Sequence, residues 1–276
     1  MSAHGAVLRR KTLSRVWRAV ARPACLVGAV FAPFAPVHGA KPALQPGSKQ
    51  RLTIISAALH APISYRLLVT ANPPTGQPLD LLLLLHGANA HDDQWDDVAI
   101  DDALLARAKA GTMRPTLLVL PDGDAPTPAT AATSPFVTFL LDELLPHIAT
   151  QFDVSRVASH RAIGGISRGG GWALTIAALH PELFGVVGGH SAVTPTGKTA
   201  ETMANTYARA RTRVWLDIGD SDGLLSFNQN FARTLRAAKV DVTFALHQGN
   251  HDRTYWRAQS PQYAAFYAQA LAHGPA

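Results

Sequence analysis

The chain has 276 residues, 47% of them hydrophobic and 16% charged, which is enough for one large buried core and too apolar for intrinsic disorder. Its formal net charge of +6 is unevenly distributed. Six of the 25 basic residues (Arg9, Arg10, Lys11, Arg15, Arg18 and Arg22) fall in the first 40 positions without an acid among them, which leaves 19 bases against 19 acids in residues 41–276 and gives no reason to expect a nucleic-acid surface.

Residues 1–40 have the layout of an export signal peptide. A basic stretch, RRKTLSRVWRAVARP, precedes an apolar one, ACLVGAVFAPFAP, and small residues follow in VHGA. Cleavage after Gly39 or Ala40 fits this pattern. The apolar run, interrupted by Pro33 and Pro36, is too short for a membrane span. The expectation is a periplasmic or secreted protein without stable membrane insertion, whose catalytic domain is residues 41–276. The single cysteine, Cys25, lies in the leader. The exported chain then has no disulfide, no thiolate nucleophile and no cysteine-ligated metal.

After the connector KPALQPGSK, strand and helix patterns alternate. RLTIISAAL and ISYRLLVT read as two strands joined by a turn at Pro62, and ANPPTGQP as a loop. The leucine run Leu81–Leu85 reads as a central strand buried on both faces. AIDDALLARAKA predicts a helix, TLLVLPDG a strand, APTPATAATSPF a loop and FVTFLLDELLPHIATQF a helix. RAIGGIS is a strand running into GWALTIAALHPELF, a helix. GVVGGHS, VWLDIGD and VDVTFALHQ are further strands, FNQNFARTLRAAK is a helix, and a last helix covers PQYAAFYAQALA. Alternation of this kind predicts a single α/β domain with a mostly parallel, doubly wound sheet and helices on both faces. Ligands of such sheets sit at the carboxyl ends of the strands. The loop APTPATAATSPF and the segment AVTPTGKTAETMANTY after Ser191 are expected to border that site.

Gly165-Ile166-Ser167-Arg168-Gly169 is a G-x-S-x-G sequence between a predicted strand and a predicted helix. A turn that sharp forces strained angles on the serine and leaves little room for side chains two residues away, so glycines flank it. The outcome is a serine hydroxyl held at the sheet edge beside a helix N-terminus. Such a hydroxyl needs a base. His251, in QGNHDRTYW beyond the last strand, is the candidate; His180 reads as structural, His247 lies within or at the end of a strand, and His190, at the end of GVVGGHS, is the competing base or a residue lining the pocket. The acid is expected in VWLDIGDSDGLL. Asp217 is within the strand, and spacing does not separate Asp220 from Asp222. Two amides are needed for an oxyanion: that of Arg168, after the serine, and that of Ala88, in the loop where His86-Gly87 permits a tight turn. His86, His91, Asp92 and Asp93 lack helix-spaced ligand pairs and do not predict a metal site. Trp95, Trp172 and Trp256 read as packing residues.

Together IGGISRGGGWALTIAALHPELFGVVGGHS, LHGANAHDDQW, LDIGDSD and GNHDRTYW resemble an esterase branch of the α/β-hydrolases. That branch includes enterochelin esterase-like proteins, feruloyl esterase modules, S-formylglutathione hydrolases and mycolyltransferases. The resemblance covers most of residues 50–272. It implies the α/β-hydrolase fold and assigns the acid, because Gly219-Asp220-Ser221-Asp222 is similar to the family's G-x-x-D and points to Asp222. Gly249-Asn250-His251-Asp252 is similar to its G-x-H-D. Arg168 stands where several relatives have Met or Phe. The expectation is an exported serine hydrolase of small-molecule carboxylic esters, with an acyl-enzyme on Ser167 and no cofactor or metal. Aryl esters, acetylated sugars and siderophore lactones are all compatible. Acyl transfer by the same residues, or a binding role on the same fold, are the alternative expectations.

Overall fold

A computed structural model describes residues 44–123 and 134–272. The expected signal peptide and most of the loop APTPATAATSPF lie outside the described residues. Eight strands run in chain order as β1 (Lys49–Ser56), β2 (Ala61–Val69), β3 (Asp80–Leu85), β4 (Thr116–Pro121), β5 (Arg161–Ile166), β6 (Val186–His190), β7 (Arg213–Gly219) and β8 (Asp241–His247). They form one sheet in the order β1-β2-β4-β3-β5-β6-β7-β8. β1 pairs antiparallel with β2, β2 antiparallel with β4, and all remaining neighbours are parallel. This is the mostly parallel sheet that the alternating pattern predicts.

The leucine run shows how the sequence builds two cores from one strand. Period-2 alternation sends Leu81, Leu83 and Leu85 to one face and Leu82 and Leu84 to the other, all at most 2% exposed. The second face is covered by α1 (Gln94–Asp97), α2 (Ile100–Lys109) and a long C-terminal helix, α8 (Arg253–Ala272), through residues such as Trp95, Leu104, Tyr263 and Tyr267. The first is covered by α5 (Arg168–Leu179), α6 (Gly197–Ala210), α7 (Leu225–Ala237) and the helical stretch before β5, through Trp172, Tyr207, Phe231 and Phe139.

That helical stretch opens with α3 (Pro135–Thr138), where Ser134 accepts the Phe136 N–H and Pro135 takes the first turn. It widens to a π-helix over Phe139–Leu144 and continues as α4 (Leu145–Gln151). Pro146 has no N–H to give to the turn before it, and the wider turn sits at that place.

Three elements differ from the sequence expectation. The segment after Ser191 is not a pocket loop over its whole length: residues 197–210 form α6, with Ala200, Met203, Ala204 and Tyr207 buried at helical spacing. The last helix begins at Arg253 rather than at Pro261, which lies inside it. Pro62 likewise falls within β2, not in the turn.

The parallel strands end together. Register partners Ile166, His190 and Asp217 mark one row at the carboxyl edge of β5, β6 and β7. The loops after β3, β5, β7 and β8 leave from that edge, and they carry the residues singled out above.

Candidate active site

The turn after β5 places Ser167. Its backbone adopts φ 55° and ψ −117°, a conformation that L-residues rarely take. The bend is held from both sides: the Ser167 N–H donates to the His190 carbonyl at 2.8 Å, and the Ser167 carbonyl accepts from Gly171 and Val193. The flanking glycines are required by contact. A Cβ on Gly165 would lie 2.2 Å from the Gly169 carbonyl carbon, and one on Gly169 would lie 2.3 Å from the His86 carbonyl oxygen. The elbow therefore packs backbone against backbone, both on itself and on the loop after β3.

The loop after β7 brings the acid and the loop after β8 the base. Asp222, its side chain fully buried, sits 2.7 Å (Oδ2) from His251 Nδ1. The other ring nitrogen, Nε2, lies 2.9 Å from Ser167 Oγ. With the carboxylate accepting at Nδ1, that nitrogen carries the hydrogen and Nε2 is left to accept from the hydroxyl. The ring also meets the Trp256 indole edge-on at 5.2 Å. Asp220, exposed, accepts instead from the Gly249 N–H and the Ser221 hydroxyl, both at 3.1 Å. The structure thus brings together Ser167, His251 and Asp222 and sets Asp220 aside as a loop clasp.

The Arg168 amide is the first N–H of α5, at the helix N-terminus directly after Ser167. The loop after β3 lies alongside: a Cβ on Gly87 would be 3.5 Å from the Ser167 Cβ. Gly87 N–H donates to Gln94 Oε1, and the next residue, Ala88, is exposed. His86 is buried, with Nδ1 2.8 Å from the Gly87 carbonyl and Nε2 3.5 Å from Asp122. His91 approaches the same carboxylate at 3.2 Å. Among the described residues no group of three or more His, Cys, Asp and Glu is arranged to hold a metal. Asp92 is fully buried and accepts from Arg51, Ser64 and Arg66, which ties this loop to β1 and β2. Burial pushes the Asp92 carboxyl up, but hydrogen bonds from Arg51, Ser64 and Arg66 outweigh it and hold it below the usual carboxylate range. Beside Asn89, Ala90 and His91 opens a groove of about 630 Å³, lined also by Arg51, Ser64 and Asp122.

One expectation is corrected. His190 does not line a pocket. It is completely buried on the α8 side of the sheet, with Nδ1 2.7 Å from Asp217 and Nε2 2.9 Å from the Tyr267 hydroxyl. Its imidazole lies among side chains of α8, whereas its backbone carbonyl serves the elbow. Sequence spacing does not group Asp217 with Tyr255, Tyr263 and Tyr267. The available signal was the pairing of a histidine and an aspartate in adjacent apolar strands, with three tyrosines in the C-terminal helix. His180 contacts Glu182 at the surface, and Trp95 and Trp172 are buried, as the packing reading of these tryptophans predicts.

An eight-stranded, mostly parallel sheet with a serine on a strained strand-to-helix elbow defines an α/β-hydrolase. Within that class the chain belongs to the family whose model is described as "Putative esterase", which matches residues 56–267, and it is a carboxylic ester hydrolase. Solved structures agree on the fold. A ferulic acid esterase is 23% identical, with 81% of this chain and 98% of that one covered at a TM-score of 0.67. An S-formylglutathione hydrolase from Staphylococcus aureus is 16% identical, over 80% and 98% of the two chains, with a TM-score of 0.64. The enterobactin esterase from Shigella flexneri is 22% identical with a TM-score of 0.66, over 81% of this chain but 59% of that longer one. Among the described residues no helix is long and apolar enough to cross a membrane.

Proposed function

We propose that the chain is an exported serine esterase in which Ser167, His251 and Asp222 act as a catalytic triad. The observation that carries this reading is the unbroken pair of hydrogen bonds from Ser167 Oγ through the His251 ring to Asp222. Ser167 Oγ attacks the ester carbonyl while His251 Nε2 takes its proton. Asp222 orients the ring and balances the charge that develops on it. The Arg168 and Ala88 amides receive the carbonyl oxygen as it becomes negative. His251 then protonates the leaving alcohol, and the acyl group stays on Ser167. A water that gives its proton to the same ring attacks the acyl carbon, frees the acid and restores the serine. No cofactor enters these steps. The His251 side chain is 33% exposed, which supports access of water to that second step.

The substrate class is a small-molecule carboxylic ester. Export is supported by the basic-then-apolar leader of residues 1–40.

The decisive experiment is Ser167→Ala assayed with p-nitrophenyl acetate. Turnover is expected to fall by at least about 10³-fold, because the nucleophile is gone while the fold, checked by circular dichroism, remains. Turnover within about tenfold of the parent in a folded Ser167→Ala protein would remove the mechanism.

A further inference from the structure

Beneath the site lies a polar cluster that the chemistry proposed above does not use. Asp217 in β7 is 0% exposed. Its Oδ1 accepts from His190 Nδ1 at 2.7 Å, and its Oδ2 accepts from the hydroxyls of Tyr255 and Tyr263, each at 2.9 Å. With His190 Nδ1 donating, Nε2 accepts from the Tyr267 hydroxyl. Burial, and then the neighbouring Asp217, push proton loss from Tyr255 and Tyr263 far above the ordinary tyrosine range, so both hydroxyls stay donors. A well-packed apolar residue would fill such a place at less cost than a desolvated acid.

What distinguishes the place is its connections. His190, which Asp217 holds by its ring, receives the Ser167 N–H on its backbone carbonyl. Asp217 itself stands five residues before Asp222 on the strand that launches the acid loop. Tyr255 stands four residues after His251 and packs against Gly249, where a Cβ would lie 2.6 Å from its ring. Gly249 in turn accepts the Ser221 N–H from the acid loop. One carboxylate is therefore joined to the elbow through His190, to the base loop through Tyr255, and to the acid loop along β7.

We infer that Asp217 is a positioning residue for the esterase reaction: it locks the elbow, the acid loop and the base loop in one register through His190 and Tyr255. This rests on the triad proposed above. Freed of the anchor, His251 still sits near Ser167 but spends less time in line with it, so catalysis falls while substrate binding does not.

The test uses Tyr255→Phe and Asp217→Asn, with kcat counted per serine titratable by a fluorophosphonate. Tyr255→Phe is expected to lower kcat about tenfold with KM within about twofold, and Asp217→Asn to lower it further, as misplacement of reacting groups by fractions of an ångström does. Tyr65→Phe is the control: it removes another buried tyrosine hydroxyl, one bonded to Gln151 in the β2 region, and should retain kcat. Should Asp217→Asn fail to fold, Tyr255→Phe decides alone. A kcat within about twofold of the parent in Tyr255→Phe overturns the inference, as does an equal loss in Tyr65→Phe, which would mark general loosening. Retained turnover in Ser167→Ala removes the triad itself. An inactive Ser167→Ala beside an unimpaired Tyr255→Phe removes only the positioning role.

Discussion

Asp220 and Asp222 stand two residues apart in one loop and face different tasks. Asp220, at the surface, clasps Gly249, whereas Asp222 is desolvated, accepts the Leu224 N–H at 2.8 Å and meets His251. A hydrogen bond to an imidazole is worth more where water does not compete for the carboxylate. Asp222→Asn is accordingly expected to lower kcat by about 10²–10⁴-fold, and Asp220→Asn by less than about fivefold. Steady-state kinetics on both variants checks the pair, and equal small losses would return the acid role to neither. Spacing does not separate these residues, because the choice depends on how the chain turns after Gly219, where the Asp222 N–H folds back to the Gly219 carbonyl. Ser167 is legible for the opposite reason. Its neighbours collide unless they are glycine, so the backbone geometry leaves a mark in the sequence itself. His190 is misread because a histidine at a strand end looks the same whether its ring faces the solvent edge or the helix beneath. Only its register partner Asp217, in the next strand, tells the two apart.

Among the elements, those with strong apolar periodicity are legible in the sequence and those held by contact are less so. The leucine run of β3, buried at every position, and the helix after the elbow, buried at eight of its twelve, announce themselves by their apolar density. α6 does not, because its buried stripe of Ala200, Met203, Ala204 and Tyr207 is embedded in Thr, Gly and Asn that resemble a loop. α8 is read short because proline is favoured in the first helical turn, whereas Pro261 here lies eight residues inside. Contacts outside the helix hold it across that point: the buried Ser260 hydroxyl donates to the Val98 carbonyl at 2.6 Å. The loop after β3 is likewise fixed from outside, by Asp92 against Arg51 and Arg66 on the first two strands. Asp92→Asn leaves two guanidinium groups without their shared acid. Arg51 keeps access to water, so the expected cost at neutral pH is about 3 kcal/mol, at the low end for a broken buried pair. Denaturant unfolding measures it, and a cost below about 1 kcal/mol would show that the loop does not depend on this anchor.

At the scale of the whole molecule, the charge balance predicts how acid acts on the fold. Residues 41–276 are formally neutral, so generalised repulsion contributes little near pH 7, and particular buried carboxyls set the slope. Asp92 and Asp80 pull in opposite directions. The Asp92 carboxyl is held below its ordinary value, so its stabilisation is complete above the unfolded pKa and is lost as pH falls through the lower folded one. Burial raises the Asp80 carboxyl despite Arg114 and His160 beside it. Its ionised form is therefore the costly one, and the cost fades as pH falls through the raised folded pKa toward the unfolded value. Unfolding free energies of the parent, Asp92→Asn and Asp80→Asn at about pH 5, 4 and 3 separate the two, since ordinary carboxyls titrate in that window. The stability advantage of the parent over Asp92→Asn should shrink as the pH falls, whereas its standing relative to Asp80→Asn should improve. Parallel curves for the parent and Asp92→Asn would mean that its carboxyl titrates alike folded and unfolded, and the cluster joining β1, β2 and the loop after β3 would then contribute no acid sensitivity.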